Sequence, residues 1–470
     1  MKKTNIKLKL VWVLFLILAT STQPMANYII QQTKQKVTNH NENEKYLTAA
    51  IKSAEWIIST RKENTLWPDD TGKPGDITPG ISEGASGKII FFIELYHVTN
   101  DPKYLEEAKL GGNYLINFIS NQNNELDSLQ NHFTFYWGVP GIGYTLNELY
   151  KTTGEIKYLS ASKKCFEWIS ANAEIKNNSA TWSSYNDLLM GNTGTGLFLT
   201  YLYEQMGSKD ALLLTEKVAN NLLERKIVEK EGYTWKVDQT RDFILPNFSH
   251  GAAGIGYLFA TLYEKTGKQK YLDVAIKSVN YLKSIAKEND NIFLVPYGYP
   301  DIGWRTPYNI AWAHGSAGTA RLFYKLWEIT KHENWKNLIQ KCVNGIKESG
   351  LPGLPSDTTI YGSEPFDTDL RFGQAGVADF FMKLYLQFKN DSYLDHAKLL
   401  MDDIVKKGSS DKNGIYWPAE RYVFMTNKGD PAKFTGYFYG AAGYGLELLQ
   451  LHKITKEKEG LTIKFPDDPF

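Results

Sequence analysis

The chain has 470 residues, 42% of them hydrophobic and 22% charged, the balance of a soluble globular protein rather than a disordered or membrane-embedded one. Its formal net charge of +1 comes from 53 basic and 52 acidic residues with no basic tract that would gather phosphates, which excludes nucleic acid as a partner. Length alone suggests two or three domains, a prior that gives way where the chain is one closed repeat.

The chain opens on a basic leader, Lys2, Lys3, Lys7 and Lys9, followed by the unbroken apolar run Val11–Ala19. That order is a secretory signal, and the run is too short to span a bilayer. A signal peptide is therefore expected over 1–26, with small residues permitting cleavage after Ser21 or Ala26, and a polar segment over 27–44. Its loss removes four lysines and no acid, leaving a formal charge of −3. The expected product is secreted or periplasmic, monomeric, and without stable membrane insertion, since no second long apolar run follows.

From residue 45 a Gly-x-x-Gly unit followed by an apolar run recurs seven times, starting at Gly84, Gly138, Gly191, Gly251, Gly315, Gly373 and Gly440. Each unit reads as a helix apolar nearly all round, which must be buried on most sides. Between the units lie amphipathic segments such as "KYLEEAKLGGNYLINFI", with Tyr104, Leu105, Ala108, Leu115 and Phe118 at helical spacing. An alternation of apolar and amphipathic helices closes naturally as an all-α ring, a single α/α toroid of seven inner and seven outer helices over 45–470. On this reading the paired glycines let neighbouring helix starts approach and keep one central cavity open. The ring of helix N-termini would favour an anionic group. Cys165 and Cys342 are read onto the third and fifth outer helices, too far apart for a disulfide, so two free buried thiols are expected.

Residues just before each glycine pair must gather at one mouth: Glu83, Tyr136, Trp137, Asp187, Ser249, His250, Trp312, His314, Arg371, Phe372, Phe438 and Tyr439. Long loops feeding the same end carry Trp235, Trp304 and Trp417, with Asp301, Glu364, Asp367 and Asp369. The bland alternative is that the aromatics plug the barrel and the polar groups cap helices. Against it, acids, two histidines and an arginine converge where the geometry leaves a pocket. Asp187 and His250 stand on adjacent repeats and are the candidate acid–base pair. Glu83, Trp137, Trp312, His314, Arg371 and Tyr439 are candidate ligand-binding residues.

These seven units resemble the lanthionine synthetase C-like proteins. The resemblance implies a toroid of seven inner and seven outer helices, and in bacteria a zinc-dependent addition of a cysteine thiol to a dehydrated residue. Asp187 in "DLLMG" and His250 in "SHGAAG" match the family's motifs. The implied zinc ligands do not: "WAHG" has Ala313 at the cysteine position, and "RFG" has Arg371 and Phe372 at the positions of a cysteine and a histidine. The expectation is an exported protein without metal or other cofactor that binds, and modifies through Asp187 and His250, a peptide or peptide-like ligand. Arg371 would anchor an anionic group. The alternatives are a carbohydrate-active toroid (a glycosidase or lyase) with an oligosaccharide ligand, using Asp187 with Asp367 or Asp369, and a catalytically dead binding or immunity protein. A different metal site built on His250 and His314 is the minor possibility.

Overall fold

The apolar runs behind the glycine pairs all fold as helices in a computed structural model that describes residues 44–62, 65–73, 75–120, 132–238, 240, 242–303, 306–419 and 431–470. The expected signal peptide, and residues 27–43 of the polar segment, lie outside the described residues. Contacts divide the chain into two units, Met1–Thr48 and Ala49–Phe470, and the second carries the helical repeats.

In chain order that unit comprises α1 (49–59, continuing a helix that begins at 44), α2 Ala85–Thr99, α3 Pro102–Ser120, α4 Val139–Thr153 and α5 Ile156–Ala171. A hairpin, β1 Glu174–Lys176 and β2 Ser179–Thr181, leads to α6 Asn192–Met206 and α7 Lys209–Arg225. A second, β3 Ile227–Glu229 and β4 Gly232–Thr234, leads to α8 Ala252–Thr266 and α9 Gln269–Ile285. A third, β5 Lys287–Glu288 and β6 Phe293–Leu294, precedes α10 Ser316–Thr330, α11 Glu333–Glu348 and the short α12 Thr358–Tyr361. The chain continues through α13 Gln374–Phe388, α14 Asp391–Lys407, the hairpin β7 Ser409–Asp411 with β8 Gly414–Tyr416, and α15 Ala441–Glu457.

The inner helices touch in the cyclic order α2, α4, α6, α8, α10, α13, α15 and back to α2, so the ring is closed. Each of the first six packs most heavily on the outer helix that follows it. The seventh, α15, is covered by α1, where Ser53 Oγ donates to the Ala441 carbonyl at 2.6 Å. The α/α toroid read from the repeats is the observed fold. Outer helices bury one stripe, as in α3 with Tyr104, Ala108, Leu115 and Ile119. Gly111 and Gly112 let α3 lie close, because a Cβ at either would meet Ile89 or Leu149.

Three departures from the sequence reading have physical reasons. The four hairpins are too short and polar to carry a period-2 signal. Behind three of them Trp182, Trp235 and Trp417 donate their indole N–H to the carbonyls of Ile169, Leu222 and Ile404, at 2.8, 2.7 and 2.8 Å. These carbonyls belong to the last turn of an outer helix, where backbone acceptors are incompletely used, and that of Ile404 also accepts the Gly408 N–H at 3.1 Å. Trp235 and Trp417 are thus outer-helix caps rather than mouth residues, and Trp304 lies outside the described residues. Second, Cys342 is on α11, the sixth outer helix, so both α7 and α9 separate it from Cys165 on α5. Both thiols are free and buried, and burial pushes each well above its ordinary pKa. Third, the second glycine of each unit serves its own entry loop. A Cβ there would collide with the carbonyl oxygen six residues earlier, for example Phe248 for Gly254 and Trp312 for Gly318.

Candidate functional site

Each entry loop folds back over its helix, and the consequence at the mouth is chemical. In all seven repeats an N–H of the first helical turn is bonded by the carbonyl seven residues before it, as in Ala85 to Thr78 (2.8 Å) and Gln374 to Asp367 (2.8 Å). The helix N-termini are therefore closed by their own loops, and the expected anion-binding ring of free N–H groups is not formed. The loops are also joined around the ring. Leu189 N–H donates to Ser249 O, Ser249 N–H to Ala313 O, and Ala313 N–H to Arg371 O, each at 3.0 Å. The circuit runs on from Leu370 to Phe438 (3.1 Å), Phe438 to Ser82 (2.9 Å) and Ser82 to Tyr136 (2.9 Å). Thr195 closes it by donating to the Phe133 carbonyl.

Below this annulus Tyr136, Trp312 and Phe438 pack together, with ring centroids 4.6–5.6 Å apart. They are a floor, and Trp312, only 5% exposed, belongs to it rather than to an open wall. The barrel under the floor is not hollow: residues 463–470 fill it, leaving a cavity of about 20 Å³, room for roughly one water. The expected central cavity is therefore filled below the floor.

At the mouth His250 and Asp187 form an acid–imidazole pair: Nδ1 lies 3.0 Å from Oδ2, with the side chains 8% and 0% exposed. The other Asp187 oxygen accepts Met190 N–H at 2.5 Å. Asp369 stands at the same register four residues before its glycine and accepts Phe372 N–H at 2.7 Å. An aspartate here thus closes the loop in either repeat, and Asp187 differs in having a histidine on its free oxygen. Asp369 is instead lifted to about 7, by burial first and the charge of Asp367 second, against the Phe372 and Arg371 N–H groups and the Arg371 charge.

His314 stacks on Tyr297 (4.1 Å) and lies parallel to Phe372 (5.7 Å) and 5.2 Å from the His250 ring. It is 2% exposed and its Nδ1 has no partner among the described residues. Burial, then His250, then Arg371 push its pKa well below the usual histidine value, so it is neutral. Arg371 donates from Nη1 to Tyr439 OH at 2.6 Å, and its guanidinium sits 4.6 Å from the Phe372 ring and 5.6 Å from Trp137. Its Nε is buried without a partner, and among the described residues no carboxylate lies at ion-pair distance, although the Arg371 charge is felt by Glu83 and Asp369. Trp137 Nε1 donates to Glu83 at 2.9 Å and Ser82 Oγ to the other oxygen at 2.6 Å. Burial nevertheless raises the Glu83 pKa.

The structure therefore brings Glu83, Trp137, Asp187, His250, His314, Arg371 and Tyr439 to one face. Asp301 and Glu364 are exposed on their loops. Sequence reading did not select Tyr297, whose loop position gives no signal, or the buried Lys88–Asp69 pair (2.8 Å). That pair pins segment 65–73 onto α2.

A closed ring of seven helix pairs with polar chemistry at one mouth defines the class of the protein. The chain belongs to the lanthionine synthetase C-like proteins: that family's model matches residues 75–458. Among solved structures it is similar to nisin cyclase, at 16% identity and a TM-score of 0.56, over 87% of this chain and 93% of that one. It is also similar to the Lin0763 protein from Listeria innocua, at 13% identity and a TM-score of 0.47, over 89% of this chain and 99% of that one. An α-1,6-mannanase of Salegentibacter sp. HEL1_6 matches at 17% identity and a TM-score of 0.42, over 68% of this chain and 94% of that one. No curated protein matches the chain.

The family implies a zinc ion, and the residues present do not fit one. Ala313 has no donor side chain, Phe372 is stacked, and Arg371 holds a fixed cation at the remaining position. Among the described residues no three His, Cys, Asp or Glu side chains cluster as a metal site.

Proposed function

We propose that the chain is an exported lanthionine synthetase C-like protein that binds a peptide or peptide-like ligand at the mouth and does not run zinc–thiolate chemistry. The observation that carries this is the exchange of charge at the implied metal positions. Where the family's cyclases place a metal to hold a thiolate, this chain has a guanidinium fixed by Tyr439, Trp137 and Phe372 with no carboxylate of its own. A half-buried cation left unpaired is costly unless a ligand supplies the counter-charge. Arg371 therefore anchors an anionic group such as a carboxylate.

Asp187 and His250 supply the reactive end. With Nδ1 committed to the carboxylate, Nε2 is the imidazole atom available to take or give a proton, and Asp187 fixes the tautomer. The basic, apolar leader ahead of Ala26 supports export.

Two measurements test this reading. Elemental analysis of purified protein is expected to find no stoichiometric zinc, and added zinc no cyclase activity on a dehydrated cysteine peptide. About one zinc per chain, lost on His250→Ala or His314→Ala, would contradict it. Binding of a peptide library with free or amidated carboxyl ends is expected to favour the free carboxylates and to lose that preference in Arg371→Met. For a peptide that is turned over, Asp187→Asn and His250→Ala should abolish turnover and leave binding largely intact. Capture of neutral oligosaccharides instead of peptides would move the assignment to a sugar-binding toroid.

A further inference from the structure

The segment after α15 has no helical or strand period, yet it is bound inside the barrel as a ligand would be. Phe465-Pro466-Asp467-Asp468 makes a β-turn, Asp468 N–H donating to Phe465 O at 2.9 Å with proline at the position that favours it. The barrel reads its backbone directly. Tyr144 OH donates to Lys464 O (2.9 Å), Tyr257 OH to Pro466 O (3.4 Å) and Arg321 Nη1 to Asp467 O (3.4 Å), while Ile463 N–H reaches the Glu94 carboxylate. These donors and acceptors come from α2, α4, α8 and α10.

Side chains are matched as well. Asp468 pairs with Lys383 at 2.5 Å and Arg321 at 3.6 Å, and Asp467 accepts Tyr136 OH at 2.9 Å. The Phe465 ring lies 5.1 Å from Tyr437 and 5.4 Å from Tyr144, and Phe470 lies 4.3 Å from Tyr324. Without this occupant Arg321 and Lys383 would share, among the described residues, Asp379 at ion-pair distance and the more distant buried Glu447, and three buried tyrosine hydroxyls would lose an acceptor. An empty barrel of this composition favours an anionic, aromatic peptide. The end of α15 and the two residues after it, 456–459, are exposed.

We propose that the lower barrel is a second peptide-binding site, specific for an aromatic–proline–acid–acid turn, filled in cis by residues 460–470, and that its occupancy sets the floor of the mouth. Tyr136 carries the coupling. Its hydroxyl is held by Asp467, its carbonyl accepts the N–H groups of Ile81 (2.8 Å) and Ser82 (2.9 Å), and its ring packs on Phe438. Loss of the turn therefore frees the residue that joins the first and second entry loops. This site does not depend on what the mouth binds.

The test is to nick the folded full chain at a protease recognition sequence inserted between Glu459 and Gly460. Residues 460–470 are expected to co-elute with the rest and to exchange for a labelled synthetic peptide of the same sequence. Synthetic versions carrying Phe465→Ala, or Asp467→Asn with Asp468→Asn, should bind roughly tenfold or more weakly. Amide exchange over 132–138 should rise when the peptide is out and fall when it rebinds. If the nicked chain precipitates on losing the peptide, Phe465→Ala in the intact chain carries the test, with a rise of about threefold or more in exchange over the same residues. Equal binding of a scrambled peptide, or unchanged exchange at 132–138, overturns the proposal.

Discussion

The two ends of the barrel handle buried charge in opposite ways. Below the floor, Arg321 meets Asp379 at 2.7 Å and Asp468 at 3.6 Å, and Lys383 meets the same two acids at 2.9 and 2.5 Å. Above it, Arg371 has a tyrosine hydroxyl and three rings but no carboxylate at ion-pair distance among the described residues, only the more distant charges of Glu83 and Asp369, and the buried His314 leaves Nδ1 without a partner. The two arginines sit in comparable surroundings of aromatic rings and differ in whether the chain itself completes them. Charges completed by the fold are there to hold it, whereas charges left incomplete are there for something else.

That contrast can be broken most forcefully from below. Arg321→Met strands Asp379 and Asp468 in the barrel, and equilibrium unfolding in urea is expected to show a loss of about 3–5 kcal/mol. A loss below about 1 kcal/mol would mean that the lower network is no more essential than a surface pair.

The next effect comes from a carboxyl at the rim. Asp369 has its folded pKa raised from 3.8 to about 7, so the folded chain keeps a proton that the unfolded chain has given up. Its contribution is full below pH 3.8 and is lost as pH rises towards about 7. Asp369→Asn keeps an acceptor for Phe372 N–H and should lose roughly 4 kcal/mol less than the wild-type chain over that range. Parallel stability–pH curves for the two proteins would remove the buried-acid account of this position.

A smaller effect is expected at His314. Phenylalanine preserves the stack between Tyr297 and Phe372 and removes an unpartnered buried nitrogen, so His314→Phe should change stability by no more than about 1 kcal/mol in either direction. A large destabilisation in thermal melts would show that His314 is completed by the fold after all.

The parts legible in the sequence were those with a period or a motif. Seven glycine units gave the ring, and the register of Asp187 and His250 before their glycines put both at one mouth, where they meet at 3.0 Å. The rest depends on contacts between segments far apart in the chain. The glycines looked like openings for a ligand, but Gly254 and Gly318 are required by carbonyls of their own entry loops. Trp235 and Trp417 looked like mouth aromatics, but a helix carbonyl 13 residues earlier claims each indole. The filling of the barrel was the largest omission. "FPDDPF" has a proline turn signal and aromatic flanks, yet only the interior charges Arg321 and Lys383 reveal where it goes.

The central claim is that the cation at the mouth serves a ligand and the cation in the barrel serves the fold. The most direct measurement is the urea unfolding free energy of Arg371→Met. Removing that guanidinium costs one hydrogen bond and its ring contacts and relieves an unpaired charge, so the expected loss is no more than about 1 kcal/mol. A loss of about 3 kcal/mol or more, comparable to that of a broken buried ion pair, would contradict the account by making Arg371 a structural residue.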